Sequence, residues 1–186
     1  TRIRAMVTSC GNPVLSTPNG QQLDEALSSL ELMVSVDIYL NETTRHAHYI
    51  LPPATGLEVA HYDLTFHALA IRNTARYSQP LFDKTPGAKY DWEIFEELRL
   101  RLENPDYTAS DSSTTGPRPQ NPDQKIDLGL RYGLYGQVAT LADGSTLPGL
   151  SLQTLLDHPH GIDLGPLRQV LPGRLRTPNG RVHVLT

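Results

Sequence analysis

The sequence has a single cysteine, Cys10, among its 186 residues. One thiol cannot form an intrachain disulfide or a cysteine-based metal cluster, so both are excluded within this chain. No apolar run approaches the roughly 18 residues that a membrane-spanning helix needs, so we expect no membrane insertion in this segment. No signal peptide is present either, and we expect a cytoplasmic protein.

Positive charge is also scarce. The chain carries 16 Lys and Arg residues against 20 Asp and Glu residues, for a formal net charge of −4. Because neither a basic run nor a basic face is visible, we expect no nucleic-acid partner. A hydrophobic content of 38% is ordinary for a soluble protein, and the length suits one sizeable domain or one domain with a tail.

The strongest catalytic and phosphate-binding motifs are absent: the sequence contains no GxGxxG, Walker A, HExxH, CxxC or GxSxG pattern. Two HxH pairs are present, His46 with His48 and His158 with His160. A metal site needs a third and fourth ligand, which nothing nearby in the sequence clearly supplies. Solvated or hydrogen-bonded histidines are therefore favoured, and a small metal-binding protein is kept as one alternative.

The chain has no initiator methionine and enters an apolar run almost at once, in "TRIRAMVTSC". It ends on "GRVHVLT", which has the alternation of a strand. We therefore expect both ends to be cut from a longer protein.

The first fifty residues alternate between strand-like and helix-like patterns. Residues 3–10 form an apolar run, residues 21–30 place apolar side chains at helical spacing, and residues 31–40 form a second apolar run. "NETTRHA" predicts a brief helix and "YIL" a third strand. Near-continuous apolar strands are typical of parallel sheets covered by helices. The pattern predicts an α/β fold of three αβα layers around a mostly parallel, Rossmann-like sheet.

The rest of the chain is less regular. Residues 54–90 give no clear element, whereas residues 92–103 predict an amphipathic helix with Asp91 as its N-cap. We divide the chain into an α/β portion at 1–103, a flexible and poorly ordered linker at 104–127, and an irregular C-terminal extension at 128–186. Within the extension we expect a short helix near 151–157 and a hairpin that turns at residues 178–180.

Open α/β sheets bind ligands at the carboxyl ends of their strands. The loop Cys10-Gly11-Asn12 follows the first strand and Asp37 follows the second. The loop is either a ligand contact or a plain turn, with Cys10 an inert small residue. Asp37 could accept two N–H groups from the edge of a guanine, or could cap the following "NETT" turn. The position of Asp91 favours a helix N-cap over a ligand contact.

In this order, "GNPVLS", "LELMVSVDIYLNETTRHAHYILPP", Glu58 and "YDWEIFEEL" resemble the molybdopterin oxidoreductases of the dimethyl sulfoxide reductase family, which includes formate dehydrogenases and nitrate reductases. The resemblance covers about residues 3–102. The tail from "HPHGIDLGPL" onward is similar to the stretch that leads into the C-terminal barrel domain of such enzymes.

The resemblance implies a fragment of a longer enzyme in which two molybdopterin guanine dinucleotides hold molybdenum or tungsten. This portion would hold one guanine dinucleotide. The metal ligand and a possible iron–sulfur cluster would lie upstream of the matched region, so the isolated fragment is expected to be inactive and to carry no cofactor. Its partners would be the remaining domains and an electron-transfer subunit. The resemblance places the following residues against the cofactor: Cys10, Gly11, Asn12, Val36, Asp37, Asn41 and Asp91.

Two departures indicate a divergent branch and leave the substrate open. His48 stands where the family has the Asp of an "ADxxLP" pattern, and "VAHYDLTFHALAIRNTARY" replaces a Gly-rich segment after Glu58. Asn41 stands where some relatives have Thr. The alternative of a different class is a stand-alone nucleotide-binding or interaction module without redox activity.

Overall fold

The computed structural model of the chain describes residues 2–108, 121–141, 143–147 and 149–183. They fall into two units. The first is drawn from Thr1–Ala60 and Gln79–Pro119, and the second from His61–Ser78 and Gln120–Thr186. The stretch 61–78, which sequence analysis included in the α/β portion, thus belongs with the C-terminal part of the chain.

The first unit contains a three-stranded sheet and three helices, with a 3₁₀ turn at Thr44–His46. Its elements are β1 (Ala5–Ser9), α1 (Pro13–Ser16), α2 (Gly20–Ser28), β2 (Leu32–Val36), β3 (Tyr49–Ile50) and α3 (Asp91–Glu103). β2 lies in the middle and pairs in parallel with both neighbours, Ala5 opposite Leu32 and Val34 opposite Tyr49. The predicted α/β class and the parallel pairing of its first three strands are confirmed.

The two faces of this sheet differ. Met33 and Ser35 point to one face and are fully buried, and the Thr8 and Ser35 hydroxyls form a buried cross-strand hydrogen bond of 2.8 Å. On the opposite face, Val7 is 55% exposed and Tyr49 is 64% exposed. Since successive strand residues alternate between faces, the described residues leave this second face largely open. The three-layer arrangement stays a prediction.

His48, the unusual residue of the "HAHYILPP" stretch, completes the hydrogen bonding of the central strand. Its backbone N–H donates to the carbonyl of Met33 at 2.8 Å. In return, the backbone N–H of Met33 donates to Nδ1 of the His48 ring at 2.9 Å. The position therefore needs a side-chain acceptor close to the backbone. An unprotonated ring nitrogen supplies it, as a carboxylate oxygen could.

The helix predicted after Asp91 is confirmed, but its cap is not the residue that we expected. α3 begins at Asp91, and Tyr90 is the N-cap. The carboxylate of Glu93 reaches back to accept the backbone N–H of Tyr90 at 2.7 Å, which is the return half of a capping box. Asp91 as N-cap is therefore wrong by one residue, because the favourable carboxylate lies at the third helical position.

The second unit is built from short antiparallel pairs, two helices and a 3₁₀ turn at Phe66–Leu69. Its elements are β4 (His61–Tyr62), β5 (Arg72–Ala75), β6 (Tyr77–Ser78), α4 (Pro122–Tyr132), β7 (Ala139–Thr140), β8 (Thr146–Leu147), α5 (Leu152–Leu156) and β9 (Ile162–Pro166). β4 pairs with β6, β5 with β9, and β7 with β8. Leu155, at 0% exposure, is its most buried described apolar side chain.

The linker prediction fails where α4 begins. Asn121 caps this helix by accepting the N–H of Gln124 at 2.8 Å, and Pro122 occupies the first turn. An Asn followed by Pro and, three residues later, by Gln is a helix-start signal, and we interpreted it as loop composition. Residues 109–120, where poor order was expected, lie outside the described residues.

The C-terminal extension is more regular than we expected. The short helix is confirmed as α5, whose N-cap Ser151 accepts the N–H of Thr154. The turn near 178–180 is present, since Gly180 N–H donates to the Thr177 carbonyl at 3.0 Å. Flanking strands are not assigned up to residue 183, so the hairpin is wrong over the part that the structure describes. None of the helices in the described ranges has the length and apolar character to cross a membrane.

The Thr8–Ser35 hydrogen bond gives a test of the sheet. We expect Ser35→Ala or Thr8→Val to lower the free energy of unfolding by about 1–3 kcal/mol, because each leaves one buried hydroxyl without its partner. The double variant should lose less than the sum of the two. Urea unfolding measures this, with the exposed Ser16→Ala as the control. Strictly additive losses would contradict a direct bond.

Candidate functional site

A cavity of about 500 Å³ lies in the first unit, at the carboxyl ends of β1 and β2. Its size falls within the range of small-molecule sites. One wall comes from the segment 53–56 with Val59. The other walls carry six of the seven residues predicted from the sequence: Cys10, Gly11, Asn12, Asp37, Asn41 and Asp91. The structure thus brings together residues from three separate parts of the chain.

The loop after β1 reaches the cavity through a sharp backbone turn. Cys10 has a φ of 48°, in the left-handed region that a residue with a side chain seldom adopts, and its side chain is exposed. Its backbone N–H donates to the Val36 carbonyl at 2.9 Å, which carries the β1–β2 pairing one step further. Val36 itself is fully buried and is not among the residues lining the cavity. Its predicted contact with a cofactor stays a prediction.

Asn12 joins this loop to the one after β2. Its amide nitrogen donates to the Glu42 carboxylate at 2.6 Å, and its side-chain oxygen accepts the hydroxyl of Thr43 at 2.8 Å. The same Thr43 oxygen accepts the backbone N–H of Val14, and Thr43 is fully buried. The hydrogen bond from Asn12 also lowers the pKa of Glu42. Both ends of the Asn12 amide are therefore used in holding the loops together.

Asp37 is 7% exposed, and its Oδ1 accepts the backbone N–H of Tyr39 at 2.9 Å. It does not cap the "NETT" turn, which was one interpretation of its position. That role belongs to Asn41, whose side-chain oxygen accepts the N–H groups of Thr43 and Thr44 at 3.0 and 2.9 Å. The bond to Tyr39 holds the Asp37 carboxylate in the wall of the cavity. The amide nitrogen of Asn41 takes no part in the turn.

Asp91 contributes the third polar side chain, from the first turn of α3, where Oδ1 contacts the N–H of Trp92 at 2.7 Å. Among the described residues that line the cavity, Asp37 and Asp91 are acidic and none is Lys or Arg. Two carboxylates without a cation disfavour a phosphate group and favour a ligand edge that donates hydrogen bonds. The cavity is therefore suited to an uncharged, donor-rich group.

Glu58 is the residue that sequence reasoning left without a role. Its carboxylate accepts the backbone N–H of Thr55 at 2.8 Å and that of Thr85 at 2.9 Å, and it also accepts both threonine hydroxyls. These bonds, the Thr85 hydroxyl above all, lower the pKa of Glu58 to about 2. Thr55 lines the cavity, so Glu58 fixes one of its walls to the segment around residue 85. In the sequence, the Thr-x-x-Glu spacing of a capping box, from Thr55 to Glu58, could have indicated this role.

A larger cavity, of about 670 Å³, adjoins the first and shares Ile38 and residues 53–55 with it. Its walls are mainly apolar, and Lys89, Glu97 and Arg101 also line it. Glu97 already pairs with both cations, at 2.7 Å in each case. We assign the site to the smaller cavity, because polar groups with unused hydrogen-bonding capacity converge there.

Three of the four histidines in the HxH pairs, His46, His48 and His158, make local contacts. His46 Nε2 lies 2.6 Å from Asp24, which also pairs with Arg45, and these two partners lower the pKa of Asp24. His158 Nδ1 lies 2.8 Å from the Thr154 carbonyl. In the portions of the chain that the structure describes, no three His, Cys, Asp or Glu residues are grouped to hold a metal ion. The structure therefore offers no support for a metal site built on these pairs.

Comparison with known proteins finds matches to the first part of the chain. Residues 2–101 match the molybdopterin oxidoreductase family model. The chain is 34% identical over 102 residues to the assimilatory nitrate reductase catalytic subunit of Bacillus subtilis. It is 31% identical over 104 residues to the thiosulfate reductase molybdopterin-containing subunit PhsA of Salmonella typhimurium. It is 36% identical over 94 residues to the F420-dependent formate dehydrogenase subunit alpha of Methanocaldococcus jannaschii.

These alignments take in 54%, 54% and 49% of this chain, respectively, but only 13% of each relative. The matched part contains all the residues that line the 500 Å³ cavity, and it also includes the stretch 61–78 of the second unit. The activities of the whole relatives involve far more chain than this.

The low pKa of Glu58 predicts how stability depends on pH. A carboxylate with a folded-state pKa near 2 and an ordinary value of 4.5 stabilises the fold fully above pH 4.5, and the contribution is lost as the pH falls toward 2. Glu58→Gln should therefore be less stable than the natural protein at pH 7. The difference should shrink between pH 4.5 and pH 2.

Chemical unfolding at a series of pH values measures this difference. Glu25→Gln, at an exposed position of α2, is the matched control and should show no such convergence. A Glu58→Gln deficit that stayed constant down to pH 2 would contradict the proposed role of the ionised carboxylate.

Proposed function

Because this chain belongs to the molybdopterin oxidoreductase family, we propose that its first unit holds the guanine end of one molybdopterin guanine dinucleotide in the 500 Å³ cavity. The observation that carries the proposal is Asp37, a nearly buried carboxylate in the cavity wall that accepts one hydrogen bond from the protein. When bound, the cofactor and its molybdenum or tungsten supply the redox chemistry.

The guanine edge matches the side chains in the cavity wall. Its N1–H and N2–H₂ groups are adjacent donors, and a carboxylate accepts both of them in one bidentate contact. The amide nitrogen of Asn41, left over from capping the turn, suits the O6 acceptor of the same base. Adenine presents an acceptor where guanine has N1–H, so Asp37 would repel it. Together, Asp37 and Asn41 would therefore bind guanine and exclude adenine.

The loop residues position these groups and contribute backbone to the wall. Cys10 and Gly11 approach the ligand with the main chain, and Asn12 holds the two loops at a fixed separation. Asp91 adds a second acceptor from the start of α3. The phosphates would lie beyond these walls, because no described residue that lines the cavity is basic.

At the level of the whole protein, we propose a formate dehydrogenase- or nitrate reductase-like enzyme. The names of the relatives support this proposal. Its metal ligand, any iron–sulfur cluster and the substrate pocket would come from domains outside this sequence. Those domains, and an electron-transfer subunit, are the proposed partners. This chain alone would have no turnover.

The proposal is tested on the protein in its full natural length. Purified active material should contain molybdenum or tungsten by elemental analysis, and acid release should give a fluorescent oxidised pterin. Active material that lacked both metals and the pterin would overturn it. Nucleotide binding in that material, without metal or pterin, would favour the stand-alone module instead.

A substitution at Asp37 tests the recognition of the base. Asp37→Asn keeps an oxygen for the Tyr39 N–H but puts a donor group where the guanine donors need an acceptor. We expect the full-length protein to retain cofactor about tenfold or more weakly, the scale of one lost bidentate base contact. Asp83→Asn, at an exposed position of the same unit, is the control.

The measurement is the pterin and guanine nucleotide released per mole of protein, with thermal unfolding to show that both variants fold. Equal cofactor content in Asp37→Asn and the natural protein would return Asp37 to a purely structural role at the Tyr39 turn.

A further inference from the structure

The second unit contains a cavity of about 900 Å³. Its walls come from β5, β7 and β9 and from the chain segments 134–138 and 167–174. This volume lies near the upper end of the range of small-molecule sites. All the described residues that line it belong to the second unit, so the cavity is formed by that unit alone.

Two arginines give the wall of this cavity its charge. Arg168 and Arg174 both line it and are both exposed, and none of the described lining residues is Asp or Glu. Neither guanidinium group has an ion-pair or hydrogen-bond partner within the part of the chain that the structure describes. The carboxylate of β9, on Asp163, is already paired with Arg72 at 2.7 Å. The wall therefore offers two accessible positive charges without a counter-charge.

Most of the remaining wall is apolar. Leu134 and Val138 are 89% and 71% exposed, and Leu167 and Val170 are 52% and 44% exposed. Single exposed apolar side chains are ordinary, but several that line one cavity mark a surface suited to binding. A ligand that covers them removes apolar surface from water, which is favourable. The cavity therefore fits a molecule with both an anionic group and an apolar body.

Hydrogen bonds hold the segment that carries the two arginines. The side-chain nitrogen of Asn73, in β5, donates to the Pro166 carbonyl at 3.1 Å, just before Arg168. The backbone N–H of Arg174 donates to the Val170 carbonyl at 3.0 Å, which closes one turn of the chain. Residues four apart in such a turn lie on the same side, and Val170 and Arg174 both line the cavity.

We propose that this cavity binds a phosphate monoester with an apolar body. At neutral pH such a phosphate carries a charge of about −1.5 to −2 and three acceptor oxygens, which matches two guanidinium groups. A carboxylate has a single charge and would leave one arginine uncompensated. Inorganic phosphate would leave the apolar wall uncovered. The proposal concerns the second unit only and does not depend on the guanine contact proposed for the first.

The test uses phenyl phosphate as the probe and the full-length protein as the receptor. Phosphorus NMR titration should show saturable binding that weakens as the salt concentration rises. Arg168→Gln and Arg174→Gln should each weaken it about tenfold or more, the scale of one lost hydrogen bond to a charged group. Arg176→Gln is the matched control, because Arg176 is exposed in the same segment and is not among the described residues of the wall.

A third variant, Val138→Asp, keeps both arginines and adds a carboxylate to the wall. It should also weaken the binding of phenyl phosphate, because the new charge repels the dianion and can pair with an arginine. Thermal unfolding of each variant accompanies the titrations. Benzoate and inorganic phosphate, titrated in the same way, separate the contributions of charge and apolar body, and each should bind more weakly than phenyl phosphate.

Four results would overturn the proposal. They are the absence of saturable phenyl phosphate binding, equal losses in Arg176→Gln and Arg168→Gln, unchanged binding in Val138→Asp, and binding of benzoate or inorganic phosphate as tight as that of phenyl phosphate. Tight benzoate binding would assign the cavity to a carboxylate instead.

Discussion

The parallel pairing of β1 with β2 is the constraint on which the first unit depends. Because the two strands run in the same direction, their carboxyl ends and the loops that follow lie at one edge of the sheet. The bond from Cys10 N–H to the Val36 carbonyl extends the pairing into the loops, and Asn12 then joins them through Thr43. Polar residues far apart in the sequence thus become neighbours around one cavity.

Buried carboxylates in this unit divide into two kinds. The hydrogen bonds that Glu58 accepts come from protein groups, and they connect the segment around Thr55 to the segment around Thr85. Asp37 has comparable burial but a single fixed bond, which leaves acceptor capacity unused. A fold can hold an ionised group away from water only if other groups replace the lost hydration. By this reasoning the first carboxylate is structural, and the second has the spare acceptor capacity on which the proposed guanine contact depends.

The sequence predicted the parts of the fold that local patterns determine. The apolar runs predicted β1 and β2. Gly11 and Asp37, at the ends of those runs, indicated where the cavity lies. Local patterns could not show that β5 pairs with β9 from the far end of the chain, so the second unit was read as irregular. At Tyr90 and Asn121, the side chain three residues ahead accepts the backbone N–H and marks where the helix begins. Similarly, the turn after β2 is capped by Asn41, whereas Asp37 accepts the N–H of Tyr39.

The loops around the 500 Å³ cavity are held by hydrogen bonds within and between them. Asn12 to Thr43, Asn41 to Thr44 and Asp37 to Tyr39 are all contacts within the protein. Loops that are already joined lose little conformational entropy when a ligand binds. In terms of assembly, the proposed cofactor would enter a cavity whose walls are held in place by the protein's own hydrogen bonds.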